Sequence, residues 1–206
     1  MMGHPLRLLG WFAGVLLGGS LFYPQAMAAE PSPSNPPQFN EKELFSYKPR
    51  GHAAAAGQVF LSAPSGKAFT QAGVSIYMIP TVTYTRHWFD RNIRVNACSS
   101  KHESSPSEHS TLAVSPADCM RHILAQLLTD KRFQPYLRTT RANPTGHFWF
   151  TKVPAGRYYI VSFLEGGGNG PHKEEHAAGM AWLTIELEAE EKATNLVLTD
   201  CKGTFC

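Results

Sequence analysis

The feature that most constrains the fold lies at residues 143–164, where two aromatic, alternating segments, Gly146-His-Phe-Trp-Phe-Thr-Lys-Val153 and Arg157-Tyr-Tyr-Ile-Val-Ser-Phe-Leu164, flank a short Pro-Ala-Gly break. Asn143-Pro-Thr-Gly146 supplies turn chemistry, because Pro fixes φ and Gly admits φ > 0. Pro154 and Gly156 mark a second bend, which confines the first strand to about residues 146–153. The same period-two pattern recurs elsewhere. Val59 and Leu61 alternate with Gln58 and Phe60, and Val74, Ile76 and Met78 alternate with Ser75 and Tyr77, with Ser65-Gly66-Lys67 as a turn between the two segments. Further strands are expected at 180–190 and 194–199. In the first of these Leu183, Ile185 and Leu187 point one way and Thr184, Glu186 and Glu188 the other, as in a half-buried antiparallel strand. Six or seven such strands with turns between them define a mainly β chain and an open antiparallel sandwich. Its core is expected to include Val59, Val74, Ile76, Phe148, Phe150, Ile160, Leu183, Ile185 and Leu187.

An insertion at about 81–137 interrupts the strand pattern. Its middle, 99–110, is polar and Ser-rich, whereas Ser115-Pro116-Ala117-Asp118 offers an N-cap, a Pro at the first helical position and an acid near the positive helix end. One α-helix is therefore expected. Met120, Ile123, Leu124, Leu127 and Leu128 recur at i, i+3, i+4 spacing and give it a face to pack on the sandwich, and Asp130-Lys-Arg-Phe-Gln-Pro135 ends it.

The run Gly-x-Phe-x-Phe-x-x-Val-Pro-Ala-Gly-x-Tyr-Tyr, preceded by Arg138-Thr139-Thr140, resembles the signature of carboxypeptidase regulatory-like domains of the transthyretin-like (prealbumin-like) group. The likeness extends upstream to Gly57-Gln-Val-Phe-Leu-Ser-Ala63 and Gly73-Val-Ser-Ile-Tyr-Met-Ile-Pro80. It implies a seven-stranded prealbumin-like (Ig-like) β-sandwich over residues 53–206. It also implies a non-catalytic module of a secreted or surface protein, with no cofactor.

Residues 1–28 read as a secretory signal peptide. Arg7 supplies the positive end, Leu8 to Phe22 the apolar stretch, and Ala26-Met27-Ala28 the small-x-small cleavage site. The apolar stretch is shorter than the roughly 20 residues needed to cross a bilayer and holds Gly10, Gly14, Gly18 and Gly19, so no transmembrane span is expected after cleavage. The expected location is periplasmic or secreted. Residues 29–52, rich in Pro, Ser and Asn, read as a flexible leader. The formal net charge of +3 is spread thinly with no Lys/Arg cluster among aromatics, which excludes a nucleic-acid surface. The partner expected instead is another envelope or extracellular protein. All four Cys lie beyond the signal, and an even count in an oxidising compartment argues for two disulfides. Of the three possible pairings, Cys98 with Cys119 and Cys201 with Cys206 is favoured, because each pair brackets one local segment.

Two segments carry candidate chemistry. Tyr84-Thr-Arg-His-Trp-Phe89 follows Ile79-Pro80, where a strand should end, and so places Tyr84, Arg86, His87 and Trp88 on a strand exit or loop. Aromatics beside Arg are what binding hot spots use. The competing reading has Trp88 and Phe89 simply cover one end of the sandwich. The second segment, Gly166-Gly-Gly-Asn-Gly-Pro171 and then His172-Lys-Glu-Glu-His176, would put His172 and His176 on one face if helical, where Glu175 could join them around a metal. A solvated connecting loop is the plainer reading. The alternative function is thus a small metal-binding protein, or a metal-dependent enzyme related to intradiol dioxygenases. Those enzymes use a related sandwich and hold iron with two Tyr and two His one residue apart. Tyr158 or Tyr159 could fill a Tyr position here, but the chain has no His-x-His.

Overall fold

In the computed structural model the described residues are 36–62, 68–94, 98, 116–165 and 178–200. Seven strands build two facing sheets. β1 (Ala53–Val59), β6 (His147–Val153) and β9 (Lys192–Leu198) form one in the order β6-β1-β9. β4 (Ser75–Pro80), β5 (Arg138–Arg141), β7 (Gly156–Glu165) and β8 (Ala178–Leu187) form the other in the order β5-β4-β7-β8. A separate ribbon pairs β2 (Leu61–Ser62) with β3 (Ala68–Phe69), so nine strands are described where seven were expected. The sandwich is not wholly antiparallel either. β1 runs antiparallel to β6 but parallel to β9.

The turn into β6 forms as its residues require. The Asn143 side-chain oxygen accepts from the backbone N–H groups of Thr145 (3.0 Å) and His147 (2.9 Å), and Gly146 takes φ 81°. From there alternation decides the faces. Phe148, Phe150 and Val153 of β6 point inward, Ala53, Ala55 and Val59 of β1 meet them, and Ile76, Met78, Tyr158, Ile160, Leu164, Ala181 and Leu187 close the core from the opposite sheet. Leu183, Ile185 and Val74 pack against this cluster half-buried, on the side their sequence pattern assigned. Gly57 lets the parallel strand come close, since a Cβ there would overlap the carbonyl oxygen of Leu196. Both edge strands of the three-stranded sheet are irregular. The register slips between Ala53 and Ala55 against β6, where Lys152 takes φ 57°, and between Ala55 and Gly57 against β9, where Asn195 takes φ 60°. Such bulges blunt an edge against pairing with another chain.

The four-stranded sheet is buried on both sides. Tyr158 and Ile160 of β7 face the sandwich, while Tyr159 and Val161 face a helical layer together with Ile79 and Met180. That layer holds two α-helices where one was expected. α2 (Pro116–Thr129) starts at the predicted Pro and turns Leu124 and Leu127 inward. Its Cys119 is disulfide-bonded to Cys98, with Cα atoms 5.7 Å apart. By the chain-entropy account a loop of this size contributes on the order of 3 kcal/mol.

α1 (Thr83–Phe89) occupies the segment expected to be a strand exit or loop, and a π-helical turn, Asp90–Arg94, continues it. Its first turn is satisfied from two directions. The Val82 N–H donates to Thr85 Oγ1 at 3.0 Å, and that hydroxyl donates to the Pro80 carbonyl at 2.7 Å. The Thr83 N–H donates to Glu43 Oε2 at 2.8 Å, a partner forty residues upstream. Phe89 then stacks on Tyr159 of β7, ring centroids 3.8 Å apart.

The stretch from Phe39 to Pro49, expected to be part of the flexible leader, is docked. A 3-10 turn over Glu41–Tyr47 opens on Asn40, whose side chain accepts from the Lys42 N–H at 3.1 Å, and buries Leu44 completely. The Tyr136 hydroxyl donates to Glu41 Oε1 at 2.7 Å, and Arg138 donates to the Pro49 carbonyl at 2.8 Å. Three apolar anchors, Phe39, Leu44 and Tyr47, gain enough buried area to outweigh the polar composition around them. No helix among the described residues is long and apolar enough to cross a membrane.

Candidate functional site

α1 and the docked N-terminal stretch bound a groove of about 540 Å³ lined by Pro36, Pro37, Gln38, Phe39, Tyr84, His87, Trp88, Arg91, Asn92 and Arg132. Helical periodicity assembles one wall. Tyr84, His87, Trp88 and Arg91 stand at i, i+3, i+4 and i+7, hence on one face. Three of the four residues expected to bind therefore come together. Arg86 does not join them: it is exposed outside the groove lining.

The opposite wall is fixed by ring and charge contacts. Phe39 meets Tyr84 edge to face at 5.9 Å and Phe133 at 6.4 Å, and the Arg132 guanidinium lies over the Phe39 ring at 4.9 Å. Arg132 also grips Asp130 with two hydrogen bonds, of 3.0 and 2.7 Å. Those bonds hold the Asp130 carboxyl below its ordinary range. Asn92 donates to the Trp88 carbonyl at 2.8 Å, which secures the π-helical turn carrying Arg91. The Arg91 side chain is exposed and makes no hydrogen bond or ion pair among the described residues. Among the described residues the groove thus joins half-buried aromatic rings to one unpartnered guanidinium, with no carboxylate in its lining.

Phe39, Arg91, Asn92 and Arg132 are site residues that sequence reasoning missed. Arg91 was within reach of it, three residues after Trp88, once the segment is read as a helix. Phe39 and Arg132 carry no local signal, because only the docking of the N-terminal stretch brings them to α1.

The outer face of the three-stranded sheet is a second, shallower feature. Trp149 of β6 is 57% exposed and Val197 of β9 54%, with Ala56, Gln58 and His147 lining the same depression of about 410 Å³. This face has no helical cover among the described residues.

The metal reading fares differently in its two parts. His172, His176, Cys201 and Cys206 lie outside the described residues. Tyr158 and Tyr159, the possible iron ligands, are both core residues. The Tyr158 hydroxyl donates to the Pro154 carbonyl at 2.8 Å, Tyr159 stacks on Phe89, and burial pushes both phenols above their ordinary range. Neither presents a phenolate to a surface site. Among the described residues no three His, Cys, Asp or Glu side chains group as metal ligands.

Fold and site together define a helix-covered β-sandwich with an aromatic, cationic surface groove. No protein-family model matches the chain, and no curated protein sequence does. Among solved structures, a Pseudomonas aeruginosa protein provisionally described as carbohydrate-binding superposes with a TM-score of 0.55, at 18% identity over 80% of this chain and 99% of its own. That likeness shows a shared fold. The pilus backbone protein RrgB of Streptococcus pneumoniae aligns with 71% of this chain and 41% of its own, at 10% identity and a TM-score of only 0.26.

Proposed function

We propose that this chain is an exported, non-catalytic β-sandwich module that binds another component of the envelope or extracellular space through the α1 groove. The observation that carries the reading is the groove itself, where Phe39, Tyr84 and Trp88 share a surface with Arg91, a guanidinium without a partner among the described residues. Binding sites concentrate on such combinations of aromatic area and directed hydrogen bonding. Three further facts support the reading. The leader has the form of a cleaved export signal, the Cys98–Cys119 bond suits an oxidising compartment, and the structural neighbour spanned almost end to end is provisionally described as carbohydrate-binding. The prealbumin-like domain over residues 53–206 and the second disulfide, Cys201 with Cys206, are part of the same proposal; non-reducing peptide mapping tests the disulfide.

The groove is tested by comparing retention of the purified protein, Trp88→Ala and Arg86→Ala on isolated envelope material. Truncating a hot-spot aromatic weakens binding by about 2 kcal/mol or more, on the order of thirtyfold. Trp88→Ala, which also gives up packing on Phe89, should lose retention by that factor while remaining folded at the assay temperature, and Arg86→Ala, outside the groove, should not lose it. Equal retention of all three proteins would refute the assignment.

A further inference from the structure

We infer that the groove beside α1 takes an anionic oligosaccharide, whose acidic group pairs with Arg91 while a sugar ring lies against Trp88 and Tyr84; this rests on the binding reading above. Charge complementarity sets the sign of the ligand. Among the described residues the lining holds Arg91, Arg132 and His87 and no carboxylate. Asp130 is bound to Arg132 at 2.7 Å and Asp90 pairs with Arg94 at 3.3 Å, which leaves Arg91 unmatched among the described residues. A guanidinium presents a planar fork of donors that fits a carboxylate with two parallel hydrogen bonds, and on a half-apolar wall that pair is stronger than in open water.

The rest of the lining sets the class. Tyr84 and Trp88 contribute flat apolar surface with a polar edge, as needed against a ring that is apolar on its face and hydroxylated at its rim. Asn92 donates to the Trp88 carbonyl, and its amide oxygen, which accepts no side-chain hydrogen bond among the described residues, can accept from a hydroxyl. A peptide docking as an added strand would need main-chain bonding to a sheet edge. None of the nine strands contributes a residue to this groove.

The test is calorimetric titration of the protein with three probes: an oligogalacturonate tetramer, a neutral glucose tetramer and a tetraglutamate peptide. Wild type, Arg91→Gln, Trp88→Ala and, as a control outside the groove, Arg86→Ala are compared with melting temperatures recorded alongside. The expected result is preference for the oligogalacturonate, weakened by added salt. Arg91→Gln should lower that affinity by about tenfold or more, as for removal of a charge-assisted hydrogen bond. Trp88→Ala should weaken it further, and Arg86→Ala should leave it unchanged. Equal affinity for the neutral tetramer, untouched by Arg91→Gln, would overturn the anionic assignment and leave the groove as a binding site. Preference for tetraglutamate with the same dependence on Arg91 and Trp88 would overturn the sugar assignment. If no probe binds while retention on envelope material still depends on Trp88, the ligand class is wrong and the binding function stands; if that retention is also independent of Trp88, both fall.

Discussion

The four-stranded sheet separates two cores of different origin. Between the sheets, side chains come from strands that alternate in and out, so each residue's fate is set by the parity of its position: Phe148 and Phe150 enter while Trp149 stays 57% exposed. On the sheet's other face, Leu44, Val82, Phe89, Leu124, Leu127, Phe133 and Tyr136 converge from a 3-10 turn, two helices and the loops around them. Local pattern builds the first core and long-range docking builds the second. The α1 groove belongs to the second, which places variable chemistry on elements outside the inter-sheet core.

The contrast can be broken most sharply at Phe150. It is 4% exposed in the inter-sheet core, and Phe150→Ala should destabilise the whole domain by about 3–5 kcal/mol through lost transfer energy and a residual cavity. Denaturant titration measures this, and an unchanged midpoint would show that the strand faces are wrongly assigned. Leu44→Ala acts on the docked stretch instead. It should reduce stability by about 2–3 kcal/mol, near the low end for a buried leucine because a peripheral segment relaxes more easily. Amide exchange should then rise over residues 39–49 and α1 while the inter-sheet strands keep their protection, and groove binding should weaken because Phe39 loses its anchor. Uniform loss of protection would mean that the two cores unfold as one.

The smallest effect is expected at Glu43. The N–H of Thr83 donating to its carboxylate holds that group below its ordinary range. A carboxyl depressed in the folded state contributes stability above its unfolded pKa, and that contribution is lost as the pH falls through the folded value. Glu43→Gln should therefore be slightly less stable than wild type at neutral pH, and the gap should close on acidification through the carboxylate range. Melting curves across that range decide it. A gap that is constant with pH would remove the charge from the account of how α1 is capped.

Legibility in the sequence follows the same division. The strands at 146–153 and 157–164, the inward set Leu183, Ile185 and Leu187, and the start of α2 at Pro116 were readable because each depends on neighbours within a few residues. α1 was not. Thr83-Tyr-Thr-Arg-His-Trp-Phe89 is rich in β-branched and aromatic residues with weak helix preference, and the helix stands because Thr85 and a distant Glu43 complete its first turn while Phe89 finds Tyr159. β5, Arg138–Arg141, is polar along its length and owes its pairing to β4. Averaged composition concealed Phe39, Leu44 and Tyr47, three anchors in a segment whose average is set by Pro, Ser and Asn. Of the site, Tyr84, His87 and Trp88 were visible as an aromatic cluster, whereas the wall facing them required the fold.

The parallel pairing of β1 with β9 also bears on how the chain reaches its native state. β1 is the central strand of its sheet, yet one of its two neighbours is the last strand described. A polypeptide appearing from its N-terminus can form the β4-β7-β8 ladder and settle α1 on it while β1 still lacks a flank. Contacts between such remote segments are slow to form, because a long loop must close before they return any free energy. Until β9 arrives, β1 keeps one unpaired edge and its sheet stays unfinished, open to pairing with any other strand that reaches it first.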